Sequence, residues 1–174
     1  MCINRIIQSS IFHNFLYWMR DIFINTILSS YLMPMCFRLF FLNLWGCHLK
    51  GPLHGHYTLL GKNLELGKGS FINKNCLFDN AFARIIVGDN VAISHNCVFL
   101  TTNHEYQNET RRGGSVYAKD IIVENGVWIG AQVTVLPGTI IRTGCVICAG
   151  SVVRGELLSN KLYGGNPAKV IKDL

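Results

Sequence analysis

VENGVWIGAQVTVLPGTIIRTGCVICAGSVV, residues 123–153, repeats itself every six residues: Val123, Ile129, Val135, Ile141, Ile147 and Val153 are all large and aliphatic. The same period runs upstream in two further phases, Leu60, Leu66, Ile72 and Phe78, then Val87, Ile93 and Phe99. Neither a helical period nor plain strand alternation produces this spacing. Four places after these residues the side chain is usually small or slim, as at Ser70, Cys76, Val91, Cys97, Val127, Val133, Thr139, Cys145 and Ser151. One place after, it is often glycine, as at Gly61, Gly67, Gly88 and Gly130. A chain that buries one aliphatic residue per short strand, then turns a corner that admits only a small side chain, winds into an all-β solenoid, a parallel β-helix. No single turn buries its apolar residue alone, so the turns must stack.

The phase slips between Phe78 and Val87, where inserted residues predict a bulged corner. After Phe99 the period stops and a polar stretch, TTNHEYQNETRRGGSVYAK, fills an excursion loop over 100–119 before Ile122 and Val123 resume it. Long loops on rigid scaffolds are where function is commonly placed. Residues just before the inward positions point outward, and several are apolar: Phe71, Leu77, Val98, Trp128, Ile140, Val146 and Val152. Such a face calls for a partner, and a homo-oligomer is the economical one.

The 174 residues amount to one domain, so any chemistry must sit on the solenoid itself. The reading divides the chain into 1–56, an apolar helical cap or membrane-associating segment; 57–156, the β-helix; and 157–174, a C-terminal tail. The formal charge of +6 comes from 16 basic and 10 acidic residues with no Lys/Arg run beyond Arg111-Arg112, which argues against nucleic acid. Of seven cysteines, Cys76, Cys97 and Cys145 fall on the small corner position, so packing explains them. Cys145 and Cys148 form C-x-x-C with no second pair at zinc-ligand spacing, and no metal site is read from the sequence. Reduced, buried thiols and a cytoplasmic setting are expected.

In the first segment, apolar residues at Ile11, Phe15, Trp18, Ile22, Ile27 and Tyr31 favour helix over strand. Its longest uncharged run, 22–37, is shorter than a spanning helix needs and is broken by Pro34. No basic leader region or small-x-small cleavage site marks a signal peptide. Two readings stand. One is a helical cap over the open end of the solenoid. The other is peripheral contact of residues 1–50 with the inner membrane surface, Tyr17, Trp18 and Trp45 near headgroups and Arg5, Arg20 and Arg38 on the polar side.

The stretches FINKNC, IIVGDNVAISHN, TTNHEY, VENGVWIGAQVTVLPG, VICAGSVV and YGGNPAKVIK resemble, in order and spacing, the hexapeptide-repeat acyltransferases, in particular their sugar and polysaccharide O-acetyltransferase branch. The resemblance covers about residues 60–174. It implies a left-handed β-helix, a homotrimer, acetyl-CoA as donor without a metal, and acetyl transfer to a sugar hydroxyl at clefts between subunits. His104 matches the family's catalytic histidine. A hydroxyl needs a base to attack a thioester, and histidine, with an unperturbed pKa of about 6.5, is free to act near neutrality. Glu105 and Glu109 are candidates for orienting it. Asn73 matches an asparagine that reaches the acceptor or thioester, and Asp79 is a further substrate contact; Asn75 and Asn80 read as corner residues. By the same resemblance Trp128 lines the pantetheine channel, Gly130, Ala131, Ala149 and Gly150 border the pantetheine arm, and Arg154, Lys169 and Lys172 meet the CoA phosphates.

The chain departs from the family's pattern where Arg142 and Cys148 stand in place of glycine and where GELLSNKL replaces a proline-containing exit. Competing functions are serine acetyltransferase, which the N-terminal half resembles poorly, and a non-catalytic scaffold subunit. A β-helical carbonic anhydrase would need three converging histidines, and the repeat region holds only His95 and His104. An acidic sugar could meet Arg111 and Arg112, and the apolar N-terminus leans the acceptor toward a polysaccharide or lipid-linked glycan precursor.

Overall fold

The structure, a computed structural model, describes residues 14–174. Its core is a left-handed β-helix with three flat faces, each a parallel sheet of very short strands. The first face stacks His48–Leu49, Leu64–Leu66, Ile85–Val87, Ile121–Val123, Ile140–Ile141 and Glu156–Leu157. The second stacks Phe71–Ile72, Ala92–Ile93, Trp128–Ile129, Val146–Ile147 and Lys161–Gly165, and the third Thr58–Leu59, Leu77–Asp79, Val98–Leu100, Thr134–Val135 and Val152–Val153. Registers align the inward residues into columns. One runs Leu66, Val87, Val123, Ile141, Leu157; another Ile72, Ile93, Ile129, Ile147, Tyr163; the third Leu59, Phe78, Phe99, Val135, Val153. All are buried, and each removes apolar surface worth about 1.5–3 kcal/mol.

The corners follow a rule that the repeat only half reveals. Three places after an inward residue the backbone takes a positive φ: Gly69, Asn75, Asn90, Asn96, Gly126, Gln132, Gly138, Gly144 and Gly150 all do so. Glycine and asparagine suit that conformation, and Gln132 shows that the stack imposes it on a residue that does not. The next residue is the small one, and every member of that predicted series is buried.

Four expectations are corrected. Leu60 is not inward: Leu59 is fully buried and sits opposite Phe78, while Leu60 lies on the surface. The corner after Leu59 holds one residue more than the period allows, which displaces the phase. The solenoid also starts before residue 57, since His48–Leu49 already pairs with Glu65 and Leu66, and Leu53 bridges Ile72. Residues 157–174 are not a loose tail; Leu157 closes the first column, and Lys161–Gly165 forms an antiparallel hairpin with Ala168–Asp173. Arg142, where glycine is usual, bridges two coils by pairing Glu124 at 2.6 Å and Glu156 at 2.7 Å.

The fourth correction concerns the N-terminal segment. It is helical, as expected, over residues 14–27, π-wound at Ile22–Ile27, and again over Met35–Trp45. The buried positions, however, are Ile24, Leu28 and Leu42, while Phe15, Trp18, Ile27 and Tyr31 face out. Ile11 and Arg5 lie outside the described residues. Arg38 does not lie on a polar face: it is buried, and its guanidinium donates to the carbonyls of Leu28 (2.7 Å), Leu53 (3.0 Å), Ser30 (2.7 Å) and Met33 (3.2 Å). A buried cation is tolerable only when its donors are met, and five N–H groups in a rigid fork suit four converging carbonyls. Arg38 thereby pins both helices to the first coil.

Candidate active site

The excursion after Val98–Leu100 is an arm with its own pairing. Thr102–His104 runs antiparallel to Val116–Ala118, with His104 opposite Val116. Both roots are tied to the coil below. Thr101 donates through its hydroxyl and its N–H (3.3 Å) to the carbonyl of Asp79. Thr102 donates through its hydroxyl and its N–H (3.2 Å) to the Asp79 carboxylate. On the return, Asp120 accepts from the Arg84 N–H at 2.8 Å and pairs with its guanidinium at 2.8 Å. Burial alone would raise the Asp120 pKa, but the bonds from Arg84 outweigh it and hold the carboxyl below its ordinary range.

His104 is exposed, and its ring has one defined contact: Nδ1 lies 3.0 Å from the carbonyl oxygen of Gly114. A carbonyl only accepts, so Nδ1 carries the hydrogen and Nε2 is left with its lone pair outward. Gly114 is held in turn by its own N–H bond to the Glu105 carbonyl at 2.8 Å, and Glu105 N–H meets the Ser115 carbonyl at 2.9 Å. The ring is therefore oriented by backbone; neither Glu105 nor Glu109 contacts it through a carboxylate among the described residues. Exposed, singly anchored and with a free basic nitrogen, the imidazole can take a proton from a hydroxyl brought to it.

The remaining predicted residues fall into two groups. Asp79 shares the arm root with His104, but its Oδ2 is engaged by Thr102 and the residue is buried, so its observed part is to brace the arm. Trp128, Gly130, Ala131, Ala149 and Gly150 lie on the second face and the corner after it. Trp128 is 55% exposed, flanked in its column by Ala92 and Val146. Gly130 sits where a Cβ would come within 2.7 Å of the Ala149 nitrogen, so coil packing alone requires glycine there, whereas at Gly150, whose N–H bonds the Ala131 carbonyl at 2.8 Å, the positive φ and not crowding favours it. Asn73, half-buried, follows Ile72 on the same face. Asn75 takes the positive φ of a corner, and buried Asn80 accepts from Gly61 N–H at 2.8 Å. Arg154, Lys169 and Lys172 are exposed, without an ion pair among the described residues. No hydrogen bond or ion pair among those residues joins the second-face group to His104.

Sequence reasoning missed Thr101, Thr102, Arg84, Asp120 and Gly114. Two threonines directly before the arm and an aspartate directly after it were the available signal for the roots; a backbone acceptor such as Gly114 leaves none. Among the described residues no cluster of three His, Cys, Asp or Glu could hold a metal ion. Burial pushes the Cys47 thiol up to about 12 and raises Cys145, so neither is a thiolate near neutral pH.

Residues 120–155 match the family model of the bacterial transferase hexapeptide (six repeats). The galactoside O-acetyltransferase of Escherichia coli (strain K12) is 33% identical over 118 residues, 68% of this chain and 58% of that protein. The chain thus spans little more than half the length of the curated relatives it matches. Among solved structures, a hexapeptide-repeat acetyltransferase from Vibrio cholerae superposes with a TM-score of 0.81 at 26% identity, covering 91% of this chain and 90% of that one. A maltose O-acetyltransferase from Clostridium difficile 630 does so with 0.79 at 28% identity, covering 87% and 82%. By repeat and fold the chain is similar to the hexapeptide-repeat acyltransferases. Among them its likeness is to the galactoside and maltose O-acetyltransferase branch.

Proposed function

We propose that the protein is an acetyl-CoA-dependent O-acetyltransferase that acetylates a carbohydrate hydroxyl by direct attack, with His104 as general base. The observation that carries this reading is the Nδ1 contact to the Gly114 carbonyl, which leaves Nε2 as acceptor on an arm fixed at both roots. Nε2 takes the acceptor's proton as its oxygen bonds to the thioester carbonyl carbon. The tetrahedral adduct then collapses by breaking the C–S bond, and the imidazolium returns the proton to the departing CoA sulfur. The Vibrio cholerae relative has also been solved with acetyl coenzyme A, which supports the donor.

His104 is carried by the arm that leaves the third face, whereas the Trp128 group lies on the second, which supports a site between protomers of a homotrimer: the arm of one copy against the Trp128 face of the next. There Trp128 lines the pantetheine path, Gly130, Ala131, Ala149 and Gly150 let it lie close to the coil, and Arg154, Lys169 and Lys172 face its phosphates. Asn73 positions the acceptor, a polysaccharide or glycan precursor. The test is thiol release from acetyl-CoA across a panel of sugars, wild type beside His104→Ala. Turnover should fall by about 10² to 10⁴ in the variant with its melting temperature unchanged. Wild-type turnover in the variant would remove the assignment of the base.

A further inference from the structure

We propose that the acceptor is an anionic carbohydrate whose carboxylate or phosphate is held by Lys74, His95 and His54 at the corner after the second face. The inference rests on the transferase reading above and narrows its substrate. That corner is a ladder. Leu53 bridges Ile72, and Ile72, Ile93, Ile129 and Ile147 stand opposite one another in turn. Two places on, Lys74, His95, Ala131 and Ala149 therefore form a ridge, tied by the bonds from Asn96 N–H to Lys74 O (3.1 Å), Gln132 N–H to His95 O (2.9 Å) and Gly150 N–H to Ala131 O (2.8 Å). His54 closes the ladder from below, with its N–H on the Ile72 carbonyl at 2.9 Å. Coils stack about 4.8 Å apart, so Lys74 lies about 10 Å below Ala131. The proposed donor path and Asn73 share this ridge.

Charge sets this corner apart. At the other two corners a cation meets a carboxylate of a neighbouring coil, Arg84 with Asp120 and Arg142 with Glu124. The arm mixes Glu105 and Glu109 with Arg111 and Arg112. Residues 53–57, 73–75, 94–96, 130–132 and 148–150, which build the corner after the second face, contain no Asp or Glu. Exposed Lys74 makes no ion pair among the described residues; its Nζ lies 4.7 Å from the ring centroid of Tyr31, which packs on His56 at 4.0 Å. An aromatic face steadies an ammonium without cancelling its charge. Arg38 acts from behind: its N–H groups are spent on carbonyls, and among the described residues no carboxylate pairs with it, so it adds field and no direct contact. Half-buried His54 registers the sum. Burial first, then the charges of Arg38, Lys74 and His95, hold its pKa below the ordinary histidine value. One exposed ammonium and two imidazoles able to donate, in a positive field that no carboxylate of the corner offsets, suit a carboxylate or a phosphate.

Binding to the full chain tests this, read by calorimetry and by NMR titration of the His54 ring. The probes are glucuronate, glucose 6-phosphate, glucose, inorganic phosphate and adenosine 3′,5′-bisphosphate. Glucuronate or glucose 6-phosphate should bind and raise the His54 pKa, because an anion favours the imidazolium, while glucose should do neither. Which of the two binds tighter tells a carboxylate-bearing acceptor from a phosphorylated one. Lys74→Met should weaken that binding roughly tenfold and Lys74→Arg about twofold at most, with melting temperatures kept. No rise in the His54 pKa with either acidic sugar, up to its solubility, would overturn the proposal. So would inorganic phosphate or the bisphosphate binding as tightly as the acidic sugars, the first because no sugar is then recognised, the second because the corner then holds the CoA nucleotide. A molar mass by light scattering that falls in Lys74→Met would overturn it too, by assigning the charge to carboxylates of a neighbouring protomer. Binding is read without turnover, so the two readings fail separately: a protein that binds the acidic sugar but transfers nothing to it sinks the transferase alone.

Discussion

In residues 121–153 every sixth side chain points into the solenoid and is buried, and the backbone between them is bonded coil to coil, as in Trp128 N–H to Cys145 O and Thr134 N–H to Ser151 O, both 2.9 Å. In residues 14–45 comparably apolar sequence is arranged the other way: Ile24, Leu28 and Leu42 face inward, while rings such as Phe15, Trp18, Phe37 and Phe40 face out. The difference teaches that apolar content does not define a core. The coils have a neighbour above and below that dictates which residue is inside. The helices have a neighbour on one side only, and what fixes them is a polar contact, the fork of Arg38 onto four carbonyls.

Three substitutions would break or sharpen this contrast. Ile93→Ala, at a fully buried point between Ile72 and Ile129, should destabilise the solenoid by about 2–5 kcal/mol in denaturant melts, because the stacked coils cannot collapse onto the cavity. A loss well under that range would mean that the columns are loosely packed. Arg38→Met should cost about 2–3 kcal/mol by stranding buried carbonyls, with trypsin cutting the helical segment before the coils open. Simultaneous loss of both regions would show one cooperative unit instead. Phe15→Ala, at an exposed ring, should shift the unfolding midpoint by no more than about 0.5 kcal/mol in lipid-free buffer. A larger effect would place that ring in a core.

The columns and the small corner series were readable because each coil imposes the same two demands on the chain. Legibility failed where one of these demands was relaxed. Leu59 and Leu60 are both leucines, and counting back from Leu66 by six selects the wrong one when the corner holds an extra residue. The first coil escaped because Leu49 and Leu53 stand among Lys50, Pro52 and His54, where one half of the pattern is missing. Arg38 is the only Lys, Arg, Asp or Glu between Asp21 and Lys50, a lone cation that could have been read as buried rather than solvated. At the arm, His104 was legible from its place in the loop, whereas its orienting partner is a main-chain oxygen and depends on the hairpin register alone.

The strand that launches the arm, Val98–Leu100, is the middle one of the five on its face. A stack whose coils touch only their neighbours comes apart from its ends, one coil at a time. Breathing of the first coil or of the closing hairpin therefore leaves Thr101 and Thr102 anchored. The amides of that central strand are the last to exchange with solvent, and the histidine is carried by the part of the solenoid that opens least often.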